Sequence, residues 1–176
     1  KRDFINSKKK YVVGYFEDLS ALNIDSEIIE KYNMCIKLFN DLGFSVLALS
    51  SEKIDFAKAR RNGFNIIESE AYLNHQVEFE KNSELFSKNL IKFLEYGKKL
   101  TAVKLMQSKS YIREIKVEFN HLFDKCDVIF LPTTPQKPFA FGQKDDTQAD
   151  LTCVSNLIES PSVSLPVGFS QDKLPI

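Results

Sequence analysis

The stretch with the clearest capacity for chemistry is a pair of hydroxyls. Thr133 and Thr134, framed by Pro132 and Pro135, follow the apolar run Val128-Ile129-Phe130-Leu131. Ligands of open α/β sheets collect beyond the carboxyl ends of strands, so these threonines are candidates for ligand contact, with loop packing between the two prolines as the competing reading. The other residues of catalytic type are scattered. His75 and His121 stand in helical surroundings and read as surface or half-buried helix residues. His121 and Asp124 are i,i+3 neighbours. A Ser-His-Asp triad also needs a serine at a sharp exposed turn, however, and no Gly-x-Ser-x-Gly is present. Cys35 belongs to an apolar helical stripe, and Cys126 and Cys153 lie near element ends with no histidine in evident partnership. Three cysteines and two histidines without clustering do not make a zinc site. The neighbouring carboxylates Glu17-Asp18 and Asp145-Asp146 point apart in a strand or loop and read as solvated turns. Asp127 reads as a turn or cap carboxylate. The glycines stand singly, which disfavours the phosphate-cradling loops of nucleotide binders. No catalytic residue, no cofactor and no metal is expected.

The bulk numbers restrict the class further. With 43% hydrophobic and 27% charged residues, the 176-residue chain has the make-up of a globular protein of one domain, or a piece of a larger one. Twenty-four basic residues balance 24 acidic ones, so no net field draws it to nucleic acid or to an anionic membrane. Lys8-Lys9-Lys10 reads as a solvated basic run. No apolar run approaches the ~20 residues of a membrane span, and no signal peptide is visible at the N-terminus. An odd cysteine count without Cys-x-x-Cys spacing suits a reducing cytoplasm. The chain opens without Met and stops at Lys173-Leu174-Pro175-Ile176, both consistent with a segment of a longer chain.

The elements that must position these residues follow from periodicity. Residues 11–16 are apolar, β-branched and aromatic, and read as a buried strand. Asp25 or Ser26 can cap a helix whose face carries Ile28, Tyr32, Cys35, Ile36, Phe39 and Leu42. Gly43 stands in the C′ position, and residues 44–49 form a second strand, so residues 11–49 make a β-α-β unit with parallel strands. Residues 51–124 read as helical: a short basic helix over 55–61 broken by Asn62-Gly63, a helix over 67–81, another through Phe86, Leu90, Phe93 and Leu94 that closes near Gly97, and a long helix capped by Thr101. That long helix carries Leu105, Ile112, Ile115, Phe119 and Leu122 on one side. Residues 127–169 read as strand, loop and strand: 127–131, a loop over 136–147, an ambiguous 150–157, and a fourth strand over 162–169. The strands over 11–16, 44–49 and 127–131 are apolar without alternation, so both of their faces must be covered. The helices account for one face, leaving the other to chain outside the sequence.

A more specific pattern runs through these elements. After the strand–helix–strand opening come Glu70-Ala71-Tyr72-Leu73-Asn74-His75 and Leu94-Glu95-Tyr96-Gly97-Lys98-Lys99-Leu100-Thr101-Ala102, with Arg113 in the long helix. Phe123, Asp127, Ile129, Pro132, Thr133 and Pro135 then keep a fixed spacing, as do Thr152, Asn156, Leu157, Pro161, Ser164, Pro166, Gly168 and Phe169. This ordered set, weak before Glu70 and strong after Leu94, resembles the C-terminal part of the amidase signature family, serine hydrolases of carboxamides.

The resemblance implies an α/β fold, part of a mixed, largely parallel sheet flanked by helices, with 1–176 as the C-terminal portion of a single domain. It also implies a Ser–cis-Ser–Lys triad with a glycine-rich oxyanion loop, in which a base activates a weak hydroxyl and donors hold the tetrahedral intermediate. No serine of this chain matches that machinery; Ser50-Ser51 has no flanking glycines. The segment is therefore expected to supply sheet and pocket wall. Thr133, Thr152 and Asn156 are expected near a small-molecule amide substrate, and Asn156 is expected to tie loop backbone together. The expected partner is the missing N-terminal part of the same fold, with no nucleic acid and no membrane. Two positions depart from the family pattern: glycine is replaced by Glu159 and by Lys173, and a need for positive φ at either would strain it. One alternative is the glutamine-hydrolysing component of the tRNA-dependent glutamyl amidotransferase, whose Asp-x-x-Thr-x-x-x-Asn would need Asp where Ala149 stands, one residue before Asp150. The other is a non-catalytic remnant or interaction protein. Produced alone, the chain is expected to be poorly soluble, its sheet lacking partner strands.

Overall fold

The computed structural model describes residues 10–143 and 145–176; of the basic run at 8–10, only Lys10 lies within them. Three parallel strands, β1 (Val12–Phe16), β2 (Ser45–Leu49) and β3 (Val128–Phe130), form a sheet in the order β2-β1-β3. Val13 lies between Val46 and Val128, and Tyr15 between Ala48 and Phe130. The first two strands are joined by helix α1 (Ser26–Asp41) in the expected β-α-β unit. Asp25 caps α1, its carboxylate accepting from the Glu27 N–H at 2.9 Å. Gly43 follows the helix at φ 86°, in the left-handed region that an L side chain rarely adopts. The buried stripe of α1 is Ile28, Tyr32 and Cys35, whereas Leu42, expected on the same face, is 65% exposed.

Both sheet faces carry helices, which corrects the expectation that the chain covers only one. On one face Phe130 stacks on Tyr32 of α1, centroids 5.2 Å apart, and meets Phe39 edge-on at 5.1 Å. The Tyr32 hydroxyl accepts from the Phe16 N–H (3.0 Å) and faces the carbonyls of Phe16 and Phe130 (both 3.2 Å), so it ties β1 to β3; burial pushes its phenol up. On the other face Phe16 packs edge-on against Phe56 and Phe119, at 5.7 and 6.3 Å. These belong to helices α2 (Phe56–Lys81) and α4 (Ala102–Phe123). Ile115, Leu122, Cys126, Leu151 and Val154 complete that core. Among the described residues, β2 and β3 are the sheet's two edges, and Val128 on the β3 edge is 52% exposed.

The helical stretch differs from the sequence reading at its glycines. Asn62-Gly63 does not break a helix: α2 runs through it for 26 residues. The Asn62 amide donates back to the Lys58 carbonyl at 2.8 Å. A Cβ on Gly63 would fall 2.7 Å from a Leu157 methyl, so the glycine admits the short helix α5 (Cys153–Leu157) against α2. After a 3₁₀ turn (Ser83–Leu85), α3 (Lys88–Lys99) continues two residues past Gly97. A Cβ there would lie 2.0 Å from the Glu68 carbonyl oxygen, so Gly97 marks the crossing of α3 on α2. Thr101 caps α4 as expected, its hydroxyl accepting from the Lys104 N–H at 3.2 Å.

The expected fourth strand over 162–169 is also corrected. Residues 161–166 are exposed, without regular secondary structure and outside the sheet, and Phe169 makes only an isolated bridge to Pro175. Alternating apolar residues mark a strand only where a partner edge is at hand. Pro161 and Pro166 further remove two N–H donors. No helix of the described residues is long and apolar enough to cross a membrane.

Candidate functional site

The loop after β3 is built by its prolines. Pro132 and Pro135 are buried, which turns Thr133 outward. The Thr133 hydroxyl pairs with that of Ser164 at 2.9 Å, and Thr134 donates to the Gln136 carbonyl at 2.9 Å. The Pro135 carbonyl accepts from the Asp25 N–H at 2.9 Å, which fastens the loop to the start of α1. Gln136 then bonds Thr147, whose hydroxyl and N–H both donate to Asp145 Oδ1 (2.6 and 2.8 Å). These bonds hold the Asp145 carboxyl below its ordinary value, which makes it a weak base for Thr147.

Thr152 and Asn156 lie four residues apart on the exposed side of α5, while Val154 and Ile158 face the core. The Thr152 hydroxyl does not cap the helix. The main-chain carbonyl of Asn156 accepts from the Glu159 N–H at 3.2 Å. The structure thus brings Thr152 and Asn156 onto one helix side and pairs Thr133 with Ser164. Among the described residues no hydrogen bond joins Thr133 to either of the other two.

Both departures from the family glycines fall on left-handed backbone. Glu159 has φ 59° and Lys173 φ 61°, the two non-glycine residues with positive φ among those described. Glu159 reaches Lys116 of α4 at 2.6 Å across an exposed surface. Lys173 stands in the turn of the terminal hairpin, its N–H donating to the Ser170 carbonyl at 3.0 Å.

Two charged arrangements are not evident from the sequence. Arg60 of α2 pairs with Asp150, 90 residues away, with side-chain exposures of 14% and 3%. Lys137 contacts Glu27 and lies 3.8 Å from Asp25 and 3.7 Å from Asp172. Such pairs have no local spacing to betray them; the only sequence sign is the placing of Asp150 beside the Thr152 motif. The Cys153 thiol donates to the Asp150 main-chain carbonyl at 3.7 Å, and burial followed by the Asp150 carboxylate pushes it up to about 11. Burial also pushes Cys35 and Cys126 up, and raised thiol values suppress the thiolate that a nucleophile needs. His121 and Asp124 are 3.8 Å apart and both exposed, a surface contact. Asp127 accepts from the Val12 N–H at 2.9 Å, a structural role as expected. Among the described residues no group of three His, Cys, Asp or Glu is placed to hold a metal.

The comparisons with known proteins agree on one family. The family model described as Amidase matches residues 1–176. The chain is 23% identical over 202 residues to the A component of the glutamyl-tRNA(Gln) amidotransferase of Trichodesmium erythraeum, covering 98% of this chain and 41% of that protein. A shorter match, 42% over 62 residues, joins it to the same component in Natranaerobius thermophilus, with 32% of this chain and 13% of that protein covered. Among solved structures, an amidase superposes with TM-score 0.84 at 17% identity, over 95% of this chain and 40% of its own. The corresponding amidotransferase component of Thermotoga maritima gives 0.71 at 22%, over 94% and 37%. The chain therefore spans about two fifths of the relative that it matches along its length.

Proposed function

The chain belongs to the amidase family, and from that premise we propose that it is the sheet-completing, pocket-wall portion of a hydrolase that cleaves the carbon–nitrogen bond of carboxamides. The products are an acid and ammonia or an amine. The observation that carries this reading is the match along all 176 residues combined with a loop after β3 that turns Thr133 outward. In this reading the nucleophilic serine, its base and the oxyanion donors lie outside these residues. Thr133, Thr152 and Asn156 line the substrate side, and the exposed β3 edge and the exposed stretch 161–166 receive the rest of the domain. An edge strand and exposed Val163 and Leu165 (80% and 67%) are surfaces that a folded protein covers. The wall's contribution is to hold the amide against the nucleophile and to keep water from the acyl intermediate. The partners in this reading are the remainder of the same domain and a small amide. The compartment is the cytoplasm, where free thiols persist.

The test is ammonia release from propionamide, benzamide and glutamine by the folded protein that carries this chain. Hydrolysis of any of them is expected, with KM raised by Thr133→Ala or Asn156→Ala. A folded protein that hydrolyses no carboxamide overturns the reading.

A second reading, glutamine-amide hydrolysis as part of an amidotransferase, is favoured by the relatives quoted above. It is weakened by Ala149 where the motif of that component has Asp, and by Asp150 being engaged with Arg60. Preference for glutamine over the two simple amides would select it.

A further inference from the structure

Three segments far apart in sequence meet at one ammonium. Lys137 lies in the connection after β3 that also carries Thr133. Its Nζ contacts Glu27 in the first turn of α1 and lies 3.8 Å from Asp25 and 3.7 Å from Asp172 of the terminal hairpin. Glu27 does double duty: one carboxylate oxygen takes the lysine, and the other accepts the Gln171 N–H at 2.6 Å. Lys137 and Glu27 are 19% and 16% exposed, while Asp172 is 74% exposed.

The Gln171 N–H makes the hairpin's main-chain hydrogen bond to the body of the protein among the described residues. The hairpin's other main-chain bonds are internal, between residues 167–170 and 173–176. Upstream of it, residues 161–166 are exposed, and Ser164 bonds the body through Thr133. Among the described residues, the polar contacts that join residues 161–176 to the rest of the protein are Thr133–Ser164 and the Lys137–Glu27 cluster.

The charge balance gives the cluster a definite response to perturbation. The Lys137 ammonium faces three carboxylates, and Lys31 acts on Glu27 as a second, weaker cation. Removing the ammonium leaves Asp25, Glu27 and Asp172 facing one another, so the cluster changes from attractive to repulsive. Helix α1 offsets part of that repulsion, because its N-terminus favours negative charge at Glu27.

We propose that Lys137 is a positioning residue, which holds the loop and the terminal hairpin in register so that Thr133 and Ser164 remain paired as one face of the substrate wall. The role in substrate binding rests on the function proposed above; the fastening of the hairpin does not. Lys137→Met, Lys137→Arg and the double variant Lys137→Met/Glu27→Gln are made in the full protein that carries this chain. Two readouts are followed: amide hydrogen exchange at Gln171 and Ile176, and amide hydrolysis.

Lys137→Met is expected to speed exchange at both amides about 10-fold or more and to raise KM about 5-fold with kcat held within about 2-fold. Lys137→Arg keeps the wild-type values, and Glu27→Gln recovers part of the loss in the Met background by relieving the repulsion. A generic loss of packing would not be relieved by a second substitution. Unchanged exchange in Lys137→Met overturns the proposal, as does equal damage from Lys137→Arg. If Lys137→Met does not fold, Glu27→Gln alone reads the same contact, and unchanged exchange in it is equally fatal. If wild-type protein hydrolyses no amide, the proposed function falls, and the exchange readout alone decides the fastening.

Discussion

Replacing Lys173 by glycine should stabilise the protein, an uncommon result for removing a long side chain. Lys173 is held at φ 61° in a hairpin turn. Left-handed backbone costs an L residue about 1–2 kcal/mol. Glycine is free of that cost but has a more flexible unfolded chain, worth about 0.4–1 kcal/mol in the opposite direction. The net expectation is about 0.5–1 kcal/mol of stabilisation, read as a rise in the urea midpoint at unchanged slope. The turn bond from the residue-173 N–H to Ser170 is main-chain and survives the change. Glu159, at φ 59°, has the same backbone cost, but its carboxylate meets Lys116 at 2.6 Å. Exposed pairs contribute about 0–1 kcal/mol, so Glu159→Gly should come out near neutral. Lys173→Ala is the control, because alanine keeps the Cβ and should show no gain. A lower midpoint for Lys173→Gly, or an equal gain for Lys173→Ala, would refute the strain argument.

Gly97→Ala places a methyl 2.0 Å from a backbone oxygen, and urea denaturation should show a loss of about 2 kcal/mol despite alanine's better helix propensity. Asp150→Ala leaves the Arg60 guanidinium, 14% exposed, without its counter-ion; the expected loss is about 3–5 kcal/mol, largely recovered when Arg60→Met is added. Cys153, its thiol pushed up to about 11 from an ordinary value of 9.0, has about 100-fold less thiolate at neutral pH and should react with iodoacetamide correspondingly slowly. For Glu27, the Lys137 hydrogen bond is the main cause that holds the carboxyl below its ordinary 4.5. Its stabilisation is therefore complete above pH 4.5 and lost as pH falls through the depressed value, so the hairpin's protection, measured relative to the intrinsic exchange rate at each pH, should drop in acid and hold between pH 6 and 8.

The features legible in the sequence were those set by local patterns. The strand at residues 11–16, the Asp25 and Thr101 caps and the left-handed Gly43 are each determined by residues within a turn of one another. The two strained positions were legible in another way, as side chains standing where the family pattern has glycine. The continuity of α2 through Asn62-Gly63 was not legible, because glycine there answers to Leu157, 94 residues on, and Gly97 likewise answers to Glu68. The stretch 162–169 has a strand's alternation but lies away from the sheet and pairs with neither of its edges. Arg60–Asp150 and Lys137–Glu27 join residues 90 and more apart, and single charged residues carry no sign of which opposite charge they will meet.

The central claim, that these 176 residues wall a carboxamide site whose nucleophile lies elsewhere in the protein, is tested most directly by labelling with a serine-directed fluorophosphonate followed by peptide mapping. The account predicts one labelled serine outside these residues, with labelling blocked by an amide substrate. A labelled serine within them, or a hydrolase that labels nowhere, would contradict it.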